Sequence, residues 1–216
     1  MRRTNGLIVL TIFFLLFSSS SIYSSIQGDL GHSKQSHINS SFFNEKEFNI
    51  NMLIAHSPIE ILSDQDFIDY GFPGSGTEEE PYRIENYNIT TLAFNGIRIE
   101  NTTKYFIIQN CFIDAYYTGI SVDGVAPFTV KVINNICANH NLYGIFLQRT
   151  DFMTVSGNEC YNNKIGLAFQ FADKIEISDN YCHNNSQSGI YIIFSNFITI
   201  SNNTIYQSYF GIHCPH

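Results

Sequence analysis

The chain has 216 residues, with 11 Lys or Arg and 19 Asp or Glu, and its formal net charge is −8 at pH 7. This length accommodates one domain and a leader segment. The acidic balance lacks the basic surface through which proteins bind nucleic acids or anionic membranes, so we expect neither of these as a partner.

The first 25 residues have the pattern of a secretory signal peptide. Arg2 and Arg3 give a basic start, residues 7–17 are apolar, and a serine-rich stretch follows. The apolar run is shorter than the ~20 residues that span a bilayer, although an uncleaved membrane anchor is the alternative interpretation. We therefore expect a secreted or extracellular protein, or one attached to the cell surface, with residues 26–55 as a flexible polar tether.

The pattern changes from residue 56 onward. Residues 58–61 alternate apolar and polar side chains, which predicts a strand, and residues 72–84 form a loop rich in Gly and Pro that leads into another strand. Ile84 and Ile89 match the later part of a repeat. Because an uncovered solenoid end exposes strand edges and core, we expect residues 56–95 to form an N-terminal cap and an irregular first coil.

Residues 96–216 contain a repeat led by glycine. After each glycine the first and third positions are apolar, which is the period-2 alternation of a strand with one buried face. The period of 22 to 25 residues is typical of a solenoid. The leading glycines are Gly96, Gly119, Gly144, Gly166, Gly189 and Gly211.

Each repeat predicts two further short strands. A second apolar pair follows the first, at Tyr105 and Ile107 in the first repeat and at Val130 and Val132 in the second. An asparagine suited to a turn comes next, and a buried-type residue lies two positions later. The asparagines are Asn110, Asn135, Asn158, Asn180 and Asn203, and the residues two positions later are Phe112, Cys137, Cys160, Cys182 and Ile205.

Stacking these repeats pairs every strand with its equivalent in the next coil, in parallel and in register. The sequence therefore predicts an all-β, right-handed parallel β-helix of about five to six coils, with the N-terminal cap described above and no C-terminal cap. A leucine-rich repeat has a similar period but needs regular leucine, which is scarce here. A β-sandwich would not explain the in-register glycine and asparagine.

Three of the five cysteines occupy one equivalent inward position. Cys137, Cys160 and Cys182 are expected to form a buried column of free thiols, because adjacent positions on parallel strands are poorly oriented for a disulfide. Cys111 lies one position earlier in its repeat, and Cys214 falls at an inward strand position of the sixth coil.

The stretch Gly74-Ser75-Gly76-Thr77 and its continuation to Asn86 resembles the entry segment of prokaryotic surface β-helix proteins. The Gly-Ile repeats with their Asn turns resemble the NosD-like family and the wider class of carbohydrate-binding proteins and sugar hydrolases. The resemblance covers residues 56–216 and implies the β-helix fold. The class includes lyases, hydrolases, epimerases, copper-site maturation proteins and members without an assigned reaction, so it does not imply one activity.

Two pairs of acids lie at equivalent positions of adjacent coils. Glu100 and Asp123 form one pair, and Asp151 and Asp173 form the other at a turn. Paired carboxylates can serve as acid and base in glycoside hydrolysis, so these four are the catalytic candidates, with solvated turn carboxylates as the alternative.

An aromatic column is predicted at the exit of the third strand, formed by Tyr161, His183 and Tyr206 and followed by amide side chains. Rings stack on sugar faces while amides bind hydroxyls, so this column is the candidate ligand-binding site, with simple packing of a repeat as the alternative. Glycosylation candidates, each beginning an Asn-x-Ser/Thr triplet, are Asn39, Asn88, Asn101, Asn184 and Asn202.

No Cys or His group has the spacing of a structural metal site, and we expect no metal or cofactor. The first functional hypothesis is therefore an exported, non-catalytic module that binds a glycan or a partner protein on its lateral face. The alternative is a polysaccharide lyase, hydrolase or epimerase. A second alternative, implied by the NosD-like resemblance, is an accessory protein in metal handling, for which His213, Cys214 and His216 are the available ligands.

Overall fold

Successive repeats form successive turns of a solenoid in the computed structural model, which describes residues 50–215. Three parallel sheets run along it, and all the printed strand pairs are parallel. The right-handed parallel β-helix predicted from the repeat is confirmed, with about six turns. The signal peptide expected at 1–25, most of the tether expected at 26–55, and Asn39 lie outside the described residues.

The strands alternate among the three sheets in chain order. Sheet 1 contains β2 (Ile59–Ile61), β5 (Asn95–Glu100), β8 (Thr118–Asp123), β11 (Tyr143–Gln148), β14 (Ile165–Gln170), β17 (Ser188–Ile193) and β20 (Phe210–His213). Sheet 2 contains β3 (Tyr82–Glu85), β6 (Phe106–Gln109), β9 (Val130–Ile133), β12 (Thr154–Ser156), β15 (Glu176–Ser178) and β18 (Thr199–Ser201). Sheet 3 contains β1 (Ile54–Ala55), β4 (Tyr87–Thr90), β7 (Phe112–Asp114), β10 (Ile136–Ala138), β13 (Glu159–Tyr161), β16 (Tyr181–His183) and β19 (Thr204–Tyr206).

Helical structure in the described residues is limited to a 3-10 turn at Ile50–Met52 and the single-turn helix α1 at Asp66–Asp69. Phe67 on α1 is fully buried and stacks on Tyr82 with ring centroids 4.7 Å apart. This contact attaches the segment after β2 to the aromatic start of the core. The capping role expected of residues 56–95 stays a prediction. None of the described helices is long and apolar enough to cross a membrane.

The repeat glycines allow close approach of neighbouring coils. A Cβ added at Gly119 would lie 2.5 Å from the carbonyl oxygen of Gly144 and 2.8 Å from the His140 ring. A Cβ at Gly144 would likewise lie 2.7 Å from the carbonyl oxygen of Gly166. Real Cβ atoms do not approach so closely, so only glycine fits these positions.

A buried asparagine ladder satisfies the turn between sheets 2 and 3. The backbone N–H of Asn135 donates to Oδ1 of Asn158 at 3.0 Å, and that of Asn158 donates to Oδ1 of Asn180 at 3.0 Å. Asn135 Nδ2 also donates to the carbonyl oxygen of Ile108 at 2.9 Å. Because each amide joins two coils, the ladder satisfies backbone groups that would otherwise be buried without partners.

The first repeat is shifted by one residue from the predicted register. Phe106 and Ile108, rather than Tyr105 and Ile107, pair with the inward Val130 and Val132. The ladder position is occupied by Cys111, whose N–H donates to Asn135 Oδ1 at 3.1 Å, and not by Asn110. Ile113, rather than Phe112, pairs with Cys137. The turn before β6 is one residue longer than in the later repeats, which moves every following side chain of this coil to the neighbouring position.

The predicted thiol column is confirmed. Cys137 pairs with Cys160 and Cys160 pairs with Cys182 in sheet 3, and all three are free and buried. They behave as small apolar side chains between two turns of core. Cys214 follows the last residue of β20 and is exposed, so the inward position predicted for it is wrong.

The turns between sheets 1 and 2 contain phenylalanine where the other turns contain asparagine. Five phenylalanines there have left-handed backbone angles with φ from 50° to 67°, and we call them the phenylalanine corner: Phe128, Phe152, Phe171, Phe194 and Phe197. At the other two corners, the non-glycine residues in this conformation are Asn, Asp or Gln, which tolerate it better. Two stacked ring pairs, Phe128 on Phe152 and Phe171 on Phe194, contact each other across adjacent coils.

Candidate functional site

A groove of about 660 Å³ lies on the outer face of sheet 1, over its first four strands; we call it the sheet 1 groove. It is bounded by turn residues on one side and by the segment after β2 on the other. Its lining consists of aromatic, acidic and small polar side chains: Pro58, Glu60, Tyr70, Ala93, Phe94, Asn95, Arg98, Glu100, Tyr117, Thr118, Ser121, Asp123, Tyr143 and Phe146.

The strand register determines the floor of the groove. One outward column runs from Glu60 through Arg98 and Ser121 to Phe146, one residue per coil. Two positions later, Glu100 pairs directly with Asp123. Neighbouring strands lie ~4.8 Å apart, so the register brings these polar side chains within reach of one ligand.

Arginine side chains engage the acids of the floor. Arg98 donates from Nε and Nη2 to the two oxygens of Glu100, each at 2.9 Å, and its Nη1 lies 3.5 Å from Glu60 Oε1. These bonds, above all those to Glu100, raise the pKa of Arg98. Arg149 similarly donates from Nε at 2.9 Å and from Nη2 at 2.5 Å to the two oxygens of Asp123. Both arginines therefore bind their carboxylates with two parallel hydrogen bonds.

Aromatic rings form the walls and one end of the groove. Phe94 stacks on Tyr117 with centroids 4.4 Å apart, and Tyr143 stacks on Phe146 at 4.6 Å. Burial, with a smaller contribution from neighbouring tyrosines, raises the pKa of Tyr143, so its phenol is neutral at physiological pH. At the other end the Tyr70 hydroxyl accepts a hydrogen bond from the Glu60 backbone N–H at 3.1 Å.

Flat apolar rings beside acceptor-rich carboxylates suit a ligand with apolar faces and donor edges. The groove is also concave and largely formed by regular strands and ordered turns, as small-molecule sites commonly are. Of the predicted catalytic acids, Glu100 and Asp123 lie in the groove. Their pairing on adjacent strands places both near one bound molecule.

Asp151 and Asp173 lie elsewhere, in the turns between sheets 1 and 2. Asp151 Oδ1 accepts the backbone N–H of Asp173 at 2.8 Å, and Asp173 Oδ1 accepts the backbone N–H of Asn196 at 2.6 Å. Each carboxylate thus joins its turn to the next coil. This geometry gives the pair a structural function in the turn, and neither acid lines the groove.

The predicted aromatic column lies on the outer face of sheet 3. His183 stacks between Tyr161 and Tyr206, with ring centroids 5.0 Å and 5.3 Å away. His183 Nε2 lies 3.0 Å from Glu159 Oε1, and Nδ1 lies 3.2 Å from Asn184 Nδ2. The side chains are brought together as predicted, but they form a flat stacked surface on a sheet rather than a concave site. Their part in ligand binding stays a prediction.

The remaining site predictions fall on the surface or in the turns. Asn101, Asn184 and Asn202 are exposed and have left-handed backbone angles, whereas Asn88 is half-buried in β4 and accepts a hydrogen bond from Thr90. Within residues 50–215, no group of three or more His, Cys, Asp or Glu could hold a metal ion. His216, one of the three ligands suggested for metal handling, lies outside the described residues.

Arg98, Tyr117, Tyr143 and Phe146 were not predicted as site residues. The search followed columns of acids, and these side chains lie in columns that mix residue types. The signal is the position two residues after each repeat glycine, which holds Arg98 and Phe146, together with the positions just before it, which hold Tyr117 and Tyr143. Tyr70 belongs to no repeat, so only the structure places it at the groove.

The comparisons with known proteins concern the fold. Residues 74–215 match the family model described as "Right handed beta helix region". None of the curated proteins compared matches the chain. One similar solved structure is the enzymatically active domain of tailspike protein 2 of bacteriophage CBA120, with 13% sequence identity and a TM-score of 0.46. That similarity covers 75% of this chain and 27% of the tailspike chain.

Proposed function

The chain belongs to the right-handed β-helix family, and within that fold we propose that it is a binding module that holds a glycan in the sheet 1 groove. The observation that carries the proposal is the combination of stacked rings and carboxylates in one concavity of about 660 Å³. Aromatic faces pack on the C–H faces of sugar rings, and carboxylate oxygens accept hydrogen bonds from hydroxyls. We also propose that the module acts outside the cytoplasm, on the strength of the signal-like first 25 residues.

The groove favours binding over catalysis because its acids are engaged. Both oxygens of Glu100 accept hydrogen bonds from Arg98, and both oxygens of Asp123 accept them from Arg149. A general acid must hold a proton on an oxygen that faces the glycosidic bond, and a nucleophile needs an oxygen free to attack. In the ligand-free geometry neither carboxylate offers such an oxygen.

The proposal is tested with Tyr117→Ala, because Tyr117 contributes ring surface to the groove wall. In a glycan-array screen followed by titration calorimetry, we expect the wild-type protein to bind a glycan and Tyr117→Ala to bind it at least about tenfold more weakly. Tyr116→Ala is the matched control, since Tyr116 is the neighbouring residue, is 55% exposed and does not line the groove. Equal affinities of the two variants, or no glycan bound by the wild-type protein, would contradict the proposal.

One observation favours a second candidate function, a polysaccharide-acting enzyme. Glu100 and Asp123 are direct neighbours on adjacent strands, as two acting carboxylates would need to be. Release of reducing ends or unsaturated products during the same screen, lost in both Glu100→Gln and Asp123→Asn, would establish this function. Binding without release supports the non-catalytic module.

A further inference from the structure

We propose that the sheet 1 groove selects uncharged glycans and rejects acidic polysaccharides; this inference rests on the proposed function and specifies its ligand class. The groove lining contains three carboxylates, on Glu60, Glu100 and Asp123, and one guanidinium, on Arg98. Arg149, paired with Asp123 at the margin, adds a second positive charge. The local balance is therefore negative even when both arginines are counted.

The arginines do not offer a site for an incoming carboxylate. A guanidinium binds a carboxylate best through the parallel donors of one edge, such as Nε and Nη2. On Arg98 that edge already holds Glu100, and on Arg149 it already holds Asp123. A uronate or sulfate group would have to displace one of these internal pairs before it gained an equivalent partner.

Glu60 presents the least neutralised acid of the groove. Its side chain is 59% exposed, and its ion pair with Arg98 is long, at 3.5 Å. It occupies the outward position of β2, at the end of the column that continues through Arg98 and Ser121. A negatively charged ligand along this column would meet an unshielded carboxylate, while a sugar hydroxyl could donate a hydrogen bond to it.

The field of the whole molecule acts in the same direction. The chain has a formal net charge of −8, so a polyanion is repelled before it reaches the groove, and most strongly at low ionic strength. Uncharged glycans escape this repulsion. They retain the ring stacking offered by Phe94, Tyr117, Tyr143 and Phe146.

The test uses matched glycan pairs. An array carries neutral oligosaccharides, each beside the same oligosaccharide with its C6 hydroxyls oxidised to carboxylates, and affinities are then measured by calorimetry in low and moderate salt. We expect the wild-type protein to bind the neutral member at least about tenfold more tightly than the oxidised one. We expect Glu60→Gln to narrow that ratio about fivefold by improving affinity for the oxidised member. Glu79→Gln, an exposed change outside the groove lining, is the control and should leave the ratio unchanged.

The outcomes separate this inference from the function on which it rests. If the oxidised member binds as tightly as the neutral one, and Tyr117→Ala weakens both, the groove binds glycans but the proposed selectivity is wrong. If Glu60→Gln leaves the ratio as it is in the wild-type protein, the rejection does not arise from the groove column and the inference also fails. If neither member binds, or if Tyr117→Ala changes nothing, the proposed function and the inference fall together.

Discussion

His140 interrupts a second buried amide ladder, at the corner between sheets 3 and 1. Asn163 and Asn185 hold the equivalent positions in the following coils, and each donates from Nδ2 to a backbone carbonyl. In His140 the backbone N–H donates to Asn163 Oδ1 at 3.0 Å, and Nδ1 lies 2.8 Å from the same oxygen. Its Nε2 is buried without a hydrogen-bond partner. The ring therefore occupies a position at which asparagine would satisfy more of the backbone.

The burial of His140 makes the stability of the fold depend on pH. Burial lowers the pKa of His140 to about 4, although Asn163 and the charge of Asp114 act in the opposite direction. An unfolded histidine titrates near pH 6.5, so between these values the unfolded chain binds a proton that the folded chain does not. The contribution of His140 is complete above pH 6.5 and is lost as the pH falls toward 4, by at most about 1.4 kcal/mol per pH unit.

We predict that His140→Asn removes this part of the pH dependence and completes the ladder. The free energy of unfolding, measured by urea denaturation at pH 7.5 and 5.0, should fall less in the variant than in the wild-type protein. His56→Asn, a change of another histidine outside the buried ladder, should retain the wild-type dependence. An equal loss of stability in all three proteins would show that His140 does not cause it.

Among the structural elements, sheet 1 tests the glycine rule within a single chain. Gly119 and Gly211 lead equivalent strands, but a Cβ at Gly119 would clash with the next coil, whereas a Cβ at Gly211 would meet nothing within 4 Å. The two positions share sequence context and differ in their surroundings. Each therefore serves as the control for the other.

We predict that Gly119→Ala destabilises the fold by about 1–3 kcal/mol, because the Gly144 carbonyl oxygen and the His140 ring must both move. Gly211→Ala should change the free energy of unfolding by less than about 0.5 kcal/mol. Thermal or urea unfolding of both variants measures the difference. Similar effects at the two positions would mean that the close approach at Gly119 is relieved by small backbone shifts.

The register of β6 shows where sequence patterns stop being informative. The later repeats alternate clearly, so their inward residues and their asparagines are predicted correctly. The stretch from Tyr105 to Ile108 is apolar at every position, and a continuous apolar run does not reveal which face is buried. One additional residue in the preceding turn then shifts the whole coil, including Cys111.

The groove was predictable only in part for a related reason. Glu100 and Asp123 were found because they repeat the same chemistry at the same position of adjacent coils. Tyr70 and Phe146 reach the groove from a non-repeating segment and from a column that changes its residue type at every coil. The phenylalanine corner was missed in the same way, since its turns lack the asparagine that marks the other two corners.

At the scale of the whole molecule, the core isolates nearly all of the thiols. Four of the five cysteines are buried, and only Cys214 is exposed. Burial raises the pKa of Cys111 to about 12 and, together with contact between thiols, raises the pKa of Cys160 well above its usual range. Since the thiolate is the reactive form, the buried groups are protected by both access and protonation.

We predict that a disulfide reagent such as DTNB modifies one thiol per folded chain and five after denaturation. Cys214→Ser should leave no reactive thiol in the folded protein. Rapid modification of two or more thiols in the native wild-type protein would indicate that the thiol column opens to solvent, and a mass measurement would identify which members react.

The in-register stacking of the coils separates the length of the rod from the composition of the groove. The groove lining comes from the segments around the first four strands of sheet 1, and the turns beyond β11 contribute none of it. Each of those later turns joins its neighbours through the same equivalent positions, so duplication or deletion of one whole turn rejoins like with like. Gene-level gain or loss of a repeat in that part of the chain would therefore change the reach of the protein while preserving its binding surface.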